Sequence, residues 1–366
     1  MSRPRTRSAL HLFPTFAVGG SQARFAQIAR GVPGWRHVIV PLDGDRGADA
    51  MMGGAERSYR DVSLTPSSGL SPANLAALRG LIREVRPDLL CTYNWGAIEG
   101  VIANRVGARA PHLHFEDGFG PEEATGELPR RRLVRRIVLG SVLGSVGPHV
   151  AVPSSFLEAA ARDGWRVPPA RLHRVDNGVD LARFAPREGR PARAAFLGAL
   201  RAEKNPARLV RAANAIGAPL DVWGDGPERE ALAALAGPTV TLRGATDKPE
   251  DALADAGLLA LSSDTEQMPL TVLEAMAAGL PVVSTDVGDV ASMVSDANRP
   301  YVTPLGDDDA YADALATLLE DRARSARIGA ANRAKAEARY GLNRMTAAYG
   351  ALMDRLAPPD REALAA

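Results

Sequence analysis

The chain has 366 residues, 46% of them hydrophobic, with 44 Lys and Arg against 43 Asp and Glu and a single cysteine, Cys91. That length exceeds what one hydrophobic core normally occupies, so two domains are expected, and the balanced charge gives no electrostatic reason to invoke nucleic acid. One cysteine excludes an internal disulfide and disfavours a thiolate metal site, and no apolar run is long enough to span a membrane.

Arg3, Arg5 and Arg7 lead straight into a strand-like run rather than a secretory leader, so the expected location is cytoplasmic. Residues 8–16 read as a buried strand that ends in the pair Gly19-Gly20, and a helical pattern follows. Strands are then predicted at 37–42, 88–93 and 111–117, with helices at 72–85 and after Ile98. The stretch 130–144, RRRLVRRIVLGSVLG, is a basic helix with aliphatic positions, a pattern that suits either a surface helix or an anionic membrane surface. The second half repeats the alternation, with strands at 192–200, 220–226, 240–244, 258–264 and 281–286.

Short apolar strands alternating with helices of about ten residues imply parallel sheets with crossover helices, hence an α/β protein of two doubly wound Rossmann-like domains. Pro186, Gly189 and Pro191 among charges mark 183–193 as the expected linker. The expected division is an N-terminal Rossmann-like domain over 1–185 and a second Rossmann-like domain over 192–345. A C-terminal helix and tail over 346–366 would pack back on the first domain.

Ligands of open parallel sheets lie beyond the carboxyl ends of the strands, so polar residues that follow strands carry the functional reading. Arg201 and Lys204 follow the strand that ends near Gly198, on a turn leading to Pro206 at a helix start, and two cations so placed suit a diphosphate. Glu266 follows the 258–264 strand, and Glu274 lies on the otherwise apolar helix LTVLEAMAAG. Backbone N–H groups around 268–271, those of Met268 and Leu270 on either side of Pro269 among them, would receive an anion at that helix start. In the first half, Gly19 and Gly20 would let a loop approach a phosphate, and His114, Glu116 and Asp117 end the 111–117 strand. His112, on the same side of the strand, is the better candidate for a structural role, and no second cluster completes a metal site.

These motifs resemble the family 4 retaining glycosyltransferases of GT-B fold, two Rossmann-like domains facing a central cleft. The resemblance runs from Gly19-Gly20 through His114, PSSF (153–156), NGVD (177–180), Arg201 and Lys204 to TEQMPLTVLEAMAAGLPVVSTDVG, whose Glu266 and Glu274 reproduce the family's Glu, seven residues, Glu spacing. It implies a retaining transferase that moves a sugar from a nucleotide diphosphate sugar to a hydroxyl of a glycan or glycolipid, without a metal or other cofactor. Glu274 would bond the ribose, Glu266 would face the transferred sugar, and Arg201 and Lys204 would neutralise the leaving diphosphate. Gly19 and Gly20 would approach that diphosphate from the first domain, His114 would contact the sugar, and Asn177 would line the interdomain region. Gln267 and Met268 stand where the family commonly has glycine and an aromatic, and Asp289 where a second glycine is usual. The resemblance further implies a role in lipopolysaccharide or other envelope polysaccharide synthesis, peripheral to the membrane through 130–144. The alternatives are a nucleotide-sugar epimerase of the same fold and a catalytically inactive nucleotide-sugar-binding regulator.

Overall fold

A computed structural model of the chain describes residues 6–65, 70–119, 121–123, 126–140 and 147–358. Described residues up to Asp176, with those from Met345 onward, form one compact unit, and Asn177–Arg344 forms the other.

The first unit is built on seven parallel strands: β1 (Arg7–Phe13), β2 (Trp35–Pro41), β3 (Arg57–Tyr59), β4 (Leu89–Tyr93), β5 (His112–Phe115), β6 (His149–Val152) and β7 (Leu172–Arg174). Their order is β3-β2-β1-β4-β5-β6-β7, so the winding reverses between β1 and β4. Helices α1 (Gly20–Gly31), α2 (Pro72–Val85), α3 (Ile98–Ala103), α4 (Pro129–Val138) and α5 (Ser155–Ala159) supply the crossovers. Leu10, Leu12 and Leu90 with Leu78 and Ile82 form one core of this unit, while Val150, Val152, Leu157 and Trp165 belong to another. The strands are apolar on both sides because helices cover both faces of the sheet.

The second unit repeats the design with six parallel strands: β8 (Ala194–Leu197), β9 (Leu220–Trp223), β10 (Val240–Gly244), β11 (Leu258–Leu261), β12 (Val282–Thr285) and β13 (Val302–Thr303). Their order, β10-β9-β8-β11-β12-β13, reverses between β8 and β11. Its helices are α6 (Pro206–Ile216), α7 (Arg229–Leu235), α8 (Pro249–Ala254), α9 (Leu270–Ala277), α10 (Val290–Met293), α11 (Asp308–Glu320) and α12 (Arg322–Arg339). Helix α9 buries Val272, Leu273, Ala275, Met276 and Ala277, which explains its nearly continuous apolar sequence. A last helix, α13 (Leu342–Leu356), delivers Tyr349, Leu352 and Met353 as buried residues of the first unit, and Arg7 there reaches Asp354 at 2.6 Å.

The boundary between units lies at Asp176/Asn177, ahead of the 183–193 segment expected as a linker. That segment is fastened to the second unit. Phe184 joins its core, and the Arg190 guanidinium donates to the carbonyls of Leu253 at 2.6 Å and Ala278 at 2.6 Å. Its prolines and glycine read as a tether, but its arginine satisfies carbonyls that helix ends leave open.

Candidate functional site

The carboxyl ends of β8 and β11 flank the reversal in the second sheet, the place where an open α/β sheet opens a crevice for a ligand. Both loops that leave those ends carry candidate residues. After β8, Arg201 precedes a short turn, Ala202–Lys204, and Asn205 takes a left-handed conformation at φ 39° to cap α6, accepting from the Arg208 backbone N–H. After β11 comes the Glu266 loop, and α9 begins at Leu270 with Pro269 as the residue before it rather than in its first turn.

The two loops meet. Lys204 Nζ lies 2.6 Å from Glu266 Oε1, and the Ser263 hydroxyl donates to the same oxygen at 2.8 Å. Behind them, the Asn205 side-chain amide and Arg208 both donate to Asp264, Arg208 also donates to the Ser262 carbonyl at 2.9 Å, and the Asp264 N–H donates to the Glu203 carbonyl at 2.9 Å. Arg201 stands more open, with Glu203 as its nearest acid at 4.0 Å. Sequence reasoning picked out Lys204 and Glu266 but missed Ser263, Asn205, Arg208 and Asp264. An Asn-Pro pair opening a helix was the one local sign of the capping residue.

Two glycine turns set the height of these loops. Gly224, at φ +153°, lies so close to the first that a Cβ would stand 1.8 Å from the Gly198 carbonyl oxygen. The Leu200 N–H donates to the Asp225 carbonyl at 2.9 Å, so the GDGPE motif serves as a cradle for the Arg201 loop. Gly288, at φ +55°, likewise packs under the carbonyls of Glu266 and Gln267, and the next N–H, that of Asp289, donates to the Gln267 carbonyl at 2.8 Å. Met268 is buried, and its carbonyl accepts from the Asn177 side-chain amide at 2.8 Å. Asn177 thus ties the start of the second unit to the Glu266 loop, while its own Oδ1 is buried without a hydrogen-bond partner among the described residues.

Glu274 sits one turn into α9 and is only partly covered. Burial pushes its carboxyl up to about 7, nearby Arg183 opposes that shift, and Glu250 adds to it. Arg183 and Glu250 form their own ion pair at 2.6 Å.

In the first unit, Gly19 caps α1 in extended conformation, and Gly20 is exposed, with no atom within 4 Å of where its Cβ would lie. His114, expected at a strand end, lies within β5 opposite Thr92 of β4 and is fully buried. Its Nδ1 is 2.8 Å from the Thr92 hydroxyl, and its Nε2 is 3.4 Å from Glu116. His112 shares the same hydroxyl at 2.9 Å, and burial holds its pKa well below the usual imidazole value. Glu116 and Asp117, which the sequence places at the end of this strand, have cationic partners. Arg135 approaches Glu116 at 3.5 Å, and Asp117 pairs with the buried Arg24 of α1. A buried carboxylate needs a counter-charge, so these contacts follow from burial itself.

The basic helix is amphipathic in a different sense from the one expected. Arg135 points inward and is fully buried. It donates to Glu123 at 3.0 and 3.1 Å and to Glu127 at 2.9 Å, with Trp165 beneath its guanidinium. Arg131 also pairs with Glu123, whereas Arg130, Arg132, Leu133 and Arg136 face solvent. Residues 141–144 of the predicted stretch lie outside the described residues. Among the described residues no helix is long and apolar enough to cross a membrane, and no three His, Cys, Asp or Glu side chains converge as a metal site.

Comparison with known proteins adds a family to this geometry. The model for Glycosyltransferase Family 4 matches residues 18–183, and that for Glycosyl transferases group 1 matches residues 191–321. A D-inositol 3-phosphate glycosyltransferase of Streptomyces avermitilis is 31% identical over 334 residues, covering 76% of this chain and 70% of that protein. The chain belongs to the family 4 glycosyltransferases. A GDP-mannose-dependent alpha-mannosyltransferase of Mycobacterium tuberculosis is 32% identical over 171 residues, which is 43% of this chain and 45% of that protein. The matches to the first such relatives span less than half their length. Among solved structures, Anabaena HepE in complex with UDP-glucose superposes with a TM-score of 0.79 at 17% identity, covering 95% of this chain and all of that one. The two parallel α/β units of this chain therefore have the GT-B fold.

Proposed function

We propose that this protein is a retaining glycosyltransferase that moves a sugar from a nucleotide diphosphate sugar to a hydroxyl of a glycan or glycolipid acceptor. The observation that carries the reading is the meeting of Lys204 and Glu266 at the reversal of the second sheet. It puts a cation for phosphate beside a carboxylate for sugar hydroxyls. Glu274, one turn into α9, is assigned to the ribose, and the N–H groups at the start of that helix to the diphosphate.

In the transfer step, the bond between the anomeric carbon and the phosphate oxygen breaks, and its electron pair leaves with the diphosphate. The acceptor oxygen bonds to that carbon on the same face, and its proton passes to a phosphate oxygen of the leaving group. Negative charge grows on the diphosphate as the bond stretches, so Lys204 and Arg201 bind the transition state more tightly than the ground state. His114 is assigned to the transferred sugar, Gly19 and Gly20 to phosphate approach, and Glu116 and Asp117 to the acceptor side, where they also set Arg135 and Arg24. The names of the relatives favour donors of the GDP-mannose and UDP-glucose kind and envelope acceptors.

The test is a panel of nucleotide sugars, UDP-glucose and GDP-mannose included, incubated with the full chain and scored for slow donor hydrolysis. One donor should be consumed, and Lys204→Ala should slow that by about tenfold or more. Rearrangement to an epimer without release of nucleotide would favour the epimerase reading instead, and binding without any turnover the regulator reading.

A further inference from the structure

The proposed reading leaves open how one site tells its substrate from its own product, since both carry the same nucleotide and diphosphate. We propose that the Lys204–Glu266 ion pair makes this distinction, with Glu266 selecting against a nucleoside diphosphate that carries no sugar. The inference rests on the proposed function and deepens it.

The contact is part-buried, the acid more deeply than the lysine. The Glu266 side chain is 9% exposed and that of Lys204 29%, with 2.6 Å between ammonium and carboxylate. A diphosphate that approaches Lys204 must therefore share or displace a carboxylate already in place. With so little of its side chain open to water, the displaced carboxylate needs replacement donors, or its desolvation goes uncompensated. The protein leaves one donor to that oxygen, the Ser263 hydroxyl at 2.8 Å. The Glu266 loop cannot readily swing the acid away. It is pinned by Gly288 beneath its carbonyls, by the Thr285 hydroxyl donating to the Ser263 carbonyl at 2.5 Å, and by Asp264 in the Asn205–Arg208 brace.

A sugar-bearing diphosphate brings hydroxyl donors to Glu266 at the moment it draws Lys204 away. A bare diphosphate brings more negative charge and no donor. Glu266 therefore costs the bare nucleotide affinity while costing the sugar nucleotide little. Once the sugar has left, the carboxylate recaptures Lys204 and speeds release of the spent diphosphate. Glutamine keeps the size and the Ser263 contact but has neither the charge that repels nor the grip that reclaims the lysine.

Calorimetric titration of the full chain with UDP, GDP, ADP and CDP, then with the sugar nucleotide matching the tightest of them, tests this. Glu266→Gln should bind the bare nucleotide roughly tenfold tighter than wild type, the scale of one charge-assisted contact, and should bind the sugar nucleotide no tighter. Glu266→Ala should shift the bare nucleotide the same way, which guards against a fault peculiar to glutamine. Equal or weaker binding of the bare nucleotide by both variants, while Lys204→Ala still loses it, would overturn the inference and leave the functional reading intact. Unchanged binding in Lys204→Ala, or binding of none of the four nucleotides by wild type, would instead overturn the functional reading.

Discussion

Glu274 shows how a single side chain couples binding to pH. Its folded value of about 7 lies above the ordinary carboxyl value because burial disfavours the charge. The protonated form is thus favoured by folding, a contribution complete below the ordinary carboxyl range and lost as pH rises through about 7. Between about pH 5 and about pH 8, wild type should lose roughly 1–3 kcal/mol of stability relative to Glu274→Gln, read by chemical denaturation at each pH. A charged carboxylate is also the better acceptor for ribose hydroxyls, so donor affinity should climb across the same window in wild type and stay flat in the glutamine variant. At this scale the sequence was readable only in part. Lys204 and Glu266, which meet at 2.6 Å, stand out in the sequence because each follows an apolar strand run. The counter-charges of Glu116 and Asp117 were not legible, because Arg135 and Arg24 come from two other elements, α4 and α1, that only the fold brings to this strand end.

Loops and helix ends carry the next level of specification. The βα alternation was legible because strands covered on both faces must be apolar throughout, and the capping and proline signals then delimit α6. The brace between the two site loops was not legible, since Asn205 and Arg208 find Asp264 more than fifty residues away. Nor was the part played by the GDGPE turn (224–228), whose contacts with Gly198 and Leu200 make it a cradle for the Arg201 loop. Gly224→Ala puts a methyl against the Gly198 carbonyl at a φ that side chains rarely adopt, so it should cost on the order of 2–4 kcal/mol by thermal or urea unfolding. Donor binding should fall with it, because the displaced segment carries Arg201. Unaltered unfolding would mean that the two loops do not press on each other.

At the scale of the molecule, the first unit is not continuous in sequence. The chain leaves it at Asp176, builds the second unit, and returns with Met345 onward on α13. Tyr349 is fully buried there, 5.6 Å from the Phe115 ring, and the Arg7 guanidinium donates to the Ala357 carbonyl at 2.9 Å. Ending the chain after Arg344 strips Tyr349, Leu352 and Met353 from that core, roughly 5 kcal/mol or more of apolar burial, comparable to the whole stability of a domain. Such a truncation should lose the cooperative unfolding of the first unit, visible as a missing calorimetric transition. The solvent-facing side of α4, with Arg130, Arg132, Leu133 and Arg136, is the part of the basic helix left to meet anionic lipid. Cosedimentation with anionic but not neutral vesicles, lost when these arginines become glutamines, is the expected outcome if the protein is peripheral, and equal recovery in both supernatants speaks against it.

The claim beneath all of this is that the second unit holds a sugar-bearing pyrophosphate between cations on one loop and carboxylates on the next loop and helix. Calorimetric titration of the intact chain with the nucleotide sugar it consumes, set beside Arg201→Ala, Lys204→Ala and Glu274→Ala, addresses it directly. Affinity lower by about tenfold or more in Lys204→Ala and Glu274→Ala, with a smaller loss for the exposed Arg201, is the predicted result. Equal affinity across wild type and all three variants would contradict it.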